Sequence, residues 1–430
     1  LLASRDFAPR RERIHNMTAR LEALPDVLAA GRANLENPPR ILTEIAIEDA
    51  MGGIEFCDSL IPRLSADRTD VPASFRAAVG RARQALDDYL RFLRHDLLLV
   101  SRGPIGIGRA NFEAILIQEH LLPYSVDQLL DAAQRVFQET LRELAAWAKR
   151  IDPQLTWREI VDQARDEHPS PARLLAAYRK EVERLRVFTR DHDLVGLPDE
   201  ECEVVETPPF DRALNSFAAY VGPAPFDADQ RGQFWVTPID TRASRAAQRE
   251  QMQEHCNYLY PVTAAHEAYP GHHVQLVRAN KAGSRWRRHF SSPLFAEGWA
   301  LYCEELMDRA GYYRDARTKL FQLKDRLWRA ARVTIEIGIH CYEMSLNDAA
   351  GFLVDHVGMT PTMARAETHR YAAEPTQPLS YLIGELEVFR LYDRFAELSL
   401  REFHDLLLDS GTIPFSLVER EMEEKIKPRE

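Results

Sequence analysis

A mainly α-helical fold, a large helical body with a small β element near the middle of the chain, is predicted by three observations. Glycine is scarce, 19 residues in 430. Apolar residues recur at three- and four-residue spacing along most of the chain, the period of a helix with one buried face. Only two short runs have strand character, and both are bounded by turn residues.

The helical stripes run through Phe75–Leu98, Ser125–Ile151, Pro171–Phe188, Leu294–Asp308, Thr318–Asn347 and Leu379–Leu398. The C-terminal stretch Leu400–Glu424 is interrupted by Gly411–Pro414. The segment from Ser125 is the clearest. Ser125-x-x-Gln128 is a capping box, in which each side chain satisfies a free backbone N–H at the helix start. Leu129, Leu130, Ala133, Phe137, Leu141, Leu144 and Ala145 then form the buried stripe, and Pro153 follows the end. Glu203–Val205 and Gln233–Thr237 are the β-prone runs, read either as strands or as extended loops. The loop clusters Asn37–Arg40, Asp193–Asp199 and Pro223–Arg231 are too short for interdomain linkers. A single domain over 1–430 is expected, with a helical N-terminal half (1–200) and a half carrying the candidate metal site (201–430).

Composition narrows the function. The apolar content of 45% is too high for a disordered chain. No apolar run approaches the roughly 18 residues of a membrane span. The net charge of −11 disfavours nucleic acid and anionic membrane surfaces as partners. Five scattered cysteines, Cys57, Cys202, Cys256, Cys303 and Cys341, offer neither a C-x-x-C pair nor an even count, so reduced thiols are expected. No charged region followed by an apolar run is visible at the start, and a cytoplasmic location is the expectation, a removed leader being the alternative. Oligomeric state is not legible.

Three of the 14 histidines fall within His266-Glu267-Ala268-Tyr269-Pro270-Gly271-His272-His273. In H-E-x-x-H, two histidines at i and i+4 share a helix face, bind a metal and leave the Glu beside its open position. The spacing here is longer. On a straight helix His266 and His272 would sit about 120° apart, and His266 and His273 about 10 Å apart along the axis. A shared ion therefore requires a distorted helix. Pro270-Gly271 supplies the distortion, because Pro removes a donor and Gly accepts unusual backbone angles. A bulge there makes His272 the partner of His266, with His273 as the alternative. A surface turn with chance histidines is the competing interpretation.

Downstream, Ala296-Glu297-Gly298-Trp299-Ala300-Leu301-Tyr302-Cys303-Glu304 reads as a helix. Glu297 is placed to be the carboxylate ligand of a two-His, one-Glu site. Glu304, two turns on, shares its face and is placed to orient a ligand from behind.

The segments His-Glu-Ala-Tyr-Pro-Gly-His-His-Val-Gln (266–275) and Glu-Gly-Trp-Ala-Leu-Tyr-Cys-Glu (297–304) closely resemble the DUF885 family, which is similar to the gluzincin-type zinc metallopeptidases. Further matches are Ile107-Gly108-x-x-Asn111-Phe112, Arg332 through Glu336-Ile337-Gly338-Ile339-His340, and Arg370-Tyr371 with the Pro375–Gly384 run. The resemblance spans most of the chain. It departs from the family at Glu336, where Asp is commoner, and at Pro378, where a small residue is usual.

The resemblance implies a zinc-dependent hydrolase, a metallopeptidase cleaving short peptides. His266, His272 and Glu297 would hold zinc and Glu267 would be the general base. The developing oxyanion needs a further donor. His340 is one candidate, since Arg332, Glu336 and His340 recur at i, i+4 and i+8 and Glu336 would fix the imidazole tautomer. Tyr381 is the other. Arg370 and Tyr371 are candidates for a substrate carboxylate. The run around Phe234 is a candidate edge for an extended peptide to pair with. A zinc amidase or esterase on small acyl substrates, and a metal-binding protein without activity, are the alternatives.

Overall fold

In a computed structural model, residues 8–64, 71–208, 212, 215 and 217–426 are described. The chain packs as two compact units, Leu1–Ile107 and Gly108–Glu430.

The first unit is built on helices α1 (Arg10–Asn34), α2 (Arg40–Leu64) and α3 (Ala73–Phe92). Ile14, Met17, Leu60, Phe75, Val79, Ala82 and Leu86 meet in its core. The stripe expected over Phe75–Leu98 is present and continues past α3 through a wider turn at Leu93–Leu97. The α1 sequence has no apolar face of helical period and carries Pro25 inside it, so no stripe marked it.

In the second unit, α4 (Arg109–Gln118) and α5 (Val126–Ile151) lead to α6 (Leu174–Asp191). Both bonds of the Ser125–Gln128 capping box are formed. Three strands follow: β1 (Cys202–Glu206), β2 (Ala218–Val221) and β3 (Gly232–Val236). The sheet order is β1-β3-β2, with β1 parallel and β2 antiparallel to β3. The structure is thus mainly α with a small β element. Both β-prone runs of the sequence are strands. β2 is the one that pattern alone does not reveal, because four residues are too few to show alternation.

Then come α7 (Tyr260–Glu267), α8 (His272–Ala279), α9 (Pro293–Arg309) and α10 (Ala316–Cys341). The helix expected over Thr318–Asn347 stops early: Tyr342 leaves the helical region and Glu343 takes a left-handed φ of 56°. The last elements are α11 (Pro361–Ala373), α12 (Ser380–Arg394), α13 (Leu400–Leu408) and α14 (Phe415–Ile426), the last two separated where Gly411–Pro414 breaks the stretch. α5 lies along α10, and α9 lies along α12. α7 packs against α6 and α9, which places the end of α7 in the centre of this unit. Among the described residues no helix is long and apolar enough to cross a membrane.

Candidate metal centre

The His266–His273 segment is two helices, where the spacing suggested one helix with a bulge. α7 ends at Glu267, four residues turn the chain, and α8 starts at His272. The Tyr269–Pro270 peptide bond is cis. Gly271 is required by contact: a Cβ there would lie 1.8 Å from the carbonyl oxygen of His266 and 2.4 Å from that of Ala265. No side chain tolerates such approach of backbone. The turn folds His272 back against the end of α7, so the two imidazoles meet edge to face with centroids 4.9 Å apart. The buried indole of Trp299 on α9 donates to the Pro270 carbonyl at 3.0 Å and ties the turn to the helix carrying Glu297.

His266, His272 and Glu297 each offer one ligand atom, and these atoms lie within 4.8 Å of one another. Glu297 Oε2 is 3.6 Å from His266 Nε2 and 3.4 Å from His272 Nε2. Two ligands on one tetrahedral ion, with bonds near 2.1 Å, sit about 3.4 Å apart. The donor set therefore fits a divalent metal. Glu297 Oε2 is buried without a hydrogen-bond donor, as is expected of an atom that would face a cation. Burial opposes ionisation of Glu297, yet the nearby imidazoles of His272 and His266 carry it well below the usual carboxylate range. For His266, burial favours the neutral form, but the bonds to Glu297 and Glu304 dominate and raise it to about 10.

Glu304 stands behind the cluster. It is buried and accepts from His266 Nδ1 at 2.8 Å, which leaves Nε2 as the atom facing Glu297. Glu267 is partly exposed, and its Oε2 accepts the backbone N–H of Tyr220 at 2.9 Å. β2 is thus the element that positions Glu267. His273 is consumed by other work: Nε2 meets the Glu200 carbonyl at 2.8 Å and Nδ1 meets the Tyr220 hydroxyl at 3.0 Å. The alternative pairing of His266 with His273 is not formed.

The two oxyanion candidates separate. The Tyr381 ring stacks on His266, centroids 6.2 Å apart and planes 21° from parallel. His340 instead has Nε2 on the Tyr371 carbonyl at 2.9 Å, and its ring stacks on Phe112. Glu336 does not fix its tautomer. The Glu336 carboxylate accepts the backbone N–H groups of Thr376 and Leu379, anchoring the loop before α12, and burial raises its pKa.

Phe234 is corrected. β3 is the central strand and is hydrogen-bonded on both edges, so it offers no edge to a peptide. The Phe234 side chain is fully buried, edge-on to Tyr178 at 5.5 Å. β2 is the outer strand on the site's side, a role that needed the pairing partners to be seen.

Arg332, Arg370 and Tyr371 form one group. The buried Tyr371 hydroxyl receives Trp328 Nε1 at 3.0 Å and Arg332 Nε at 3.2 Å. Arg370 pairs with Gln377 and with Glu367, and Glu367 also pairs with Arg332. Arg329, not singled out in the sequence, completes the group over the faces of Trp328 and Tyr381.

Fold and site together define a mainly helical protein with a small mixed sheet and a buried two-histidine, one-glutamate cluster. The family described as "Bacterial protein of unknown function (DUF885)" matches residues 1–422, and the chain belongs to it. No curated protein matches the chain. Among solved structures, "a putative lipoprotein of unknown function" from Shewanella oneidensis superposes with a TM-score of 0.82 at 22% identity, covering 98% of this chain and 80% of that one. A "putative lipoprotein" from Colwellia psychrerythraea superposes with a TM-score of 0.81 at 18% identity, covering 99% and 78%. These likenesses show the fold. Both relatives are described as lipoproteins, and the cytoplasmic expectation is withdrawn on that finding.

Proposed function

We propose that this chain is a metal-dependent hydrolase, a zinc peptidase acting on short peptides. The observation that carries the proposal is the placing of a carboxylate not used as a ligand, Glu267, next to a buried His266–His272–Glu297 cluster of metal-binding dimensions. Pure metal storage has no use for that extra carboxylate. Other divalent ions suit a two-His, one-carboxylate set, so the metal is proposed as zinc on its commonness with these ligands.

A bound zinc ion would polarise the scissile carbonyl and lower the pKa of water towards neutrality. The protein's own residues supply the rest. Glu267, held by the Tyr220 N–H, takes the proton of the attacking water and delivers it to the leaving amine as the C–N bond breaks. Tyr381, stacked on His266, is the proposed donor to the oxygen that gains charge. Glu304 keeps His266 in the tautomer that presents Nε2.

The test is metal content by mass spectrometry and cleavage of a mixed peptide library, with Glu267→Gln alongside the parent protein. The expected result is about one zinc per chain in both, with cleavage lowered roughly 10²–10⁴-fold in the variant. Zinc retained with no cleavage of any peptide by the parent overturns the hydrolase assignment.

A further inference from the structure

We propose that Arg332, with Arg329 beside it, forms a carboxylate-binding pocket one tyrosine ring away from the metal cluster. The substrates are then peptides whose free C-terminal carboxylate lies within a residue or two of the cleaved bond. This rests on the hydrolase reading above and adds the substrate class to it.

The Arg332 guanidinium is sandwiched between the rings of Trp328, at 4.0 Å, and Tyr381, at 4.5 Å. Its Nε is bonded to the Tyr371 hydroxyl and its Nη2 to Glu367 at 3.3 Å. Nη1 is buried and has no hydrogen-bond partner. The side chain is only 5% exposed. A buried charged donor left unpaired costs on the order of 1–3 kcal/mol or more, and Nη1 is a donor that a bound carboxylate would satisfy. Arg329, on the preceding turn of α10, repeats the pattern. Its Nη1 lies 3.4 Å from Asp325, while its Nε is buried and unpartnered.

Glu367 is shared between Arg332 and Arg370, and Arg370 also has Glu374 at 3.8 Å, so the unpartnered donors follow from geometry and not from a shortage of carboxylates. A purely structural ion-pair ladder would place an acceptor on each donor pair. Here two donors on adjacent turns of one helix are left open, beside aromatic walls. Planar N–H donors of this kind match a carboxylate, and a low-dielectric setting strengthens the match.

Position makes the pocket a substrate pocket. Tyr381 is its shared wall: Arg332 lies over the ring that stacks on His266. The His266 and Tyr381 ring centres are 6.2 Å apart and the Arg332 guanidinium carbon lies 4.5 Å from the Tyr381 centre. About two residues of extended chain, roughly 7 Å, are therefore needed between a carbonyl at the metal cluster and a carboxylate at Arg332.

The experiment uses metal-loaded protein and three sets of short peptides: free acids, the same peptides as C-terminal amides, and amides with Asp or Glu as the last residue. The expected result is a kcat/KM for free acids at least about 100-fold above that for plain amides. In Arg332→Gln that ratio collapses towards one. Because Arg332 is buried, Arg329→Gln is measured beside it, with a smaller fall in the ratio and a circular-dichroism melt to confirm folding. Equal rates for free acids and amides overturn the pocket and leave the hydrolase reading standing. Rescue of the amides by a side-chain carboxylate overturns the terminal-carboxylate assignment. If no peptide is cleaved, the hydrolase reading fails, and the pocket is judged by calorimetry with an N-acetylated dipeptide and its amide. Binding of the acid alone, lost in Arg332→Gln, supports it. No binding overturns it.

Discussion

Gly298 and Gly384 meet backbone to backbone where α9 crosses α12. A Cβ on Gly298 would lie 2.3 Å from the Gly384 carbonyl carbon, and a Cβ on Gly384 would lie 2.0 Å from the Leu294 oxygen. The residue before Gly298 is Glu297, and three residues before Gly384 stands Tyr381. The crossing therefore sets the spacing between a candidate metal ligand and a candidate oxyanion donor. Gly298→Ala or Gly384→Ala should destabilise the protein by about 3 kcal/mol or more, because backbone rather than a movable side chain opposes the methyl group. Urea denaturation checks this. A change under about 0.5 kcal/mol in either variant would show that the helices can separate freely.

His272 and His273 should respond differently to truncation. His272→Ala removes a ligand and should abolish stoichiometric zinc. His273→Ala removes the imidazole that meets the Tyr220 hydroxyl and the Glu200 carbonyl and should cost about 1–3 kcal/mol of stability while zinc stays bound. Metal analysis paired with thermal melts distinguishes them. Loss of zinc in a folded His273→Ala protein would reverse the ligand assignment.

Glu304→Ala should weaken zinc about 10–100-fold without removing a ligand, since His266 would lose the partner that fixes its Nδ1 proton. Competition with a chromogenic chelator measures the change. Unaltered affinity would mean that Glu304 is bystander packing.

Acid should destabilise the metal-free protein before its carboxylates titrate. His255, His273 and His404 are buried, and burial lowers each to about 4. Below the unfolded value near 6.5 the unfolded chain binds protons that the folded chain refuses. Stability from these three groups is thus complete above about pH 6.5 and falls away as the pH drops towards 4, by a total on the order of 10 kcal/mol at about 1.4 kcal/mol per pKa unit for each group. His266 works in the opposite sense. Its raised value near 10 stabilises the metal-free fold below pH 6.5, and this is lost as the pH rises through 10. Urea midpoints for chelator-treated protein at pH 5, 7.5 and 9.5 should peak at the middle value. A midpoint at pH 5 equal to that at pH 7.5 would contradict the buried neutral histidines.

The sequence by itself determined the helical class, because the three-to-four-residue apolar period and the Ser125 capping box are local properties of the chain. It also singled out His266, His272 and Glu297 as a candidate ligand set, with His273 as the alternative, because Pro270-Gly271 and the short separation constrain the spacing. Only the tertiary structure decided the rest, since each remaining feature joins residues far apart along the chain. Glu267 is positioned by Tyr220, and Tyr220 and Glu200 together occupy His273. β3 has no free edge because β1 and β2 close over it. Arg332 meets Tyr371 and Glu367, both distant in sequence, and keeps Nη1 without a partner. Periodicity reports which face of an element is buried; it carries no information on which distant side chain meets that face.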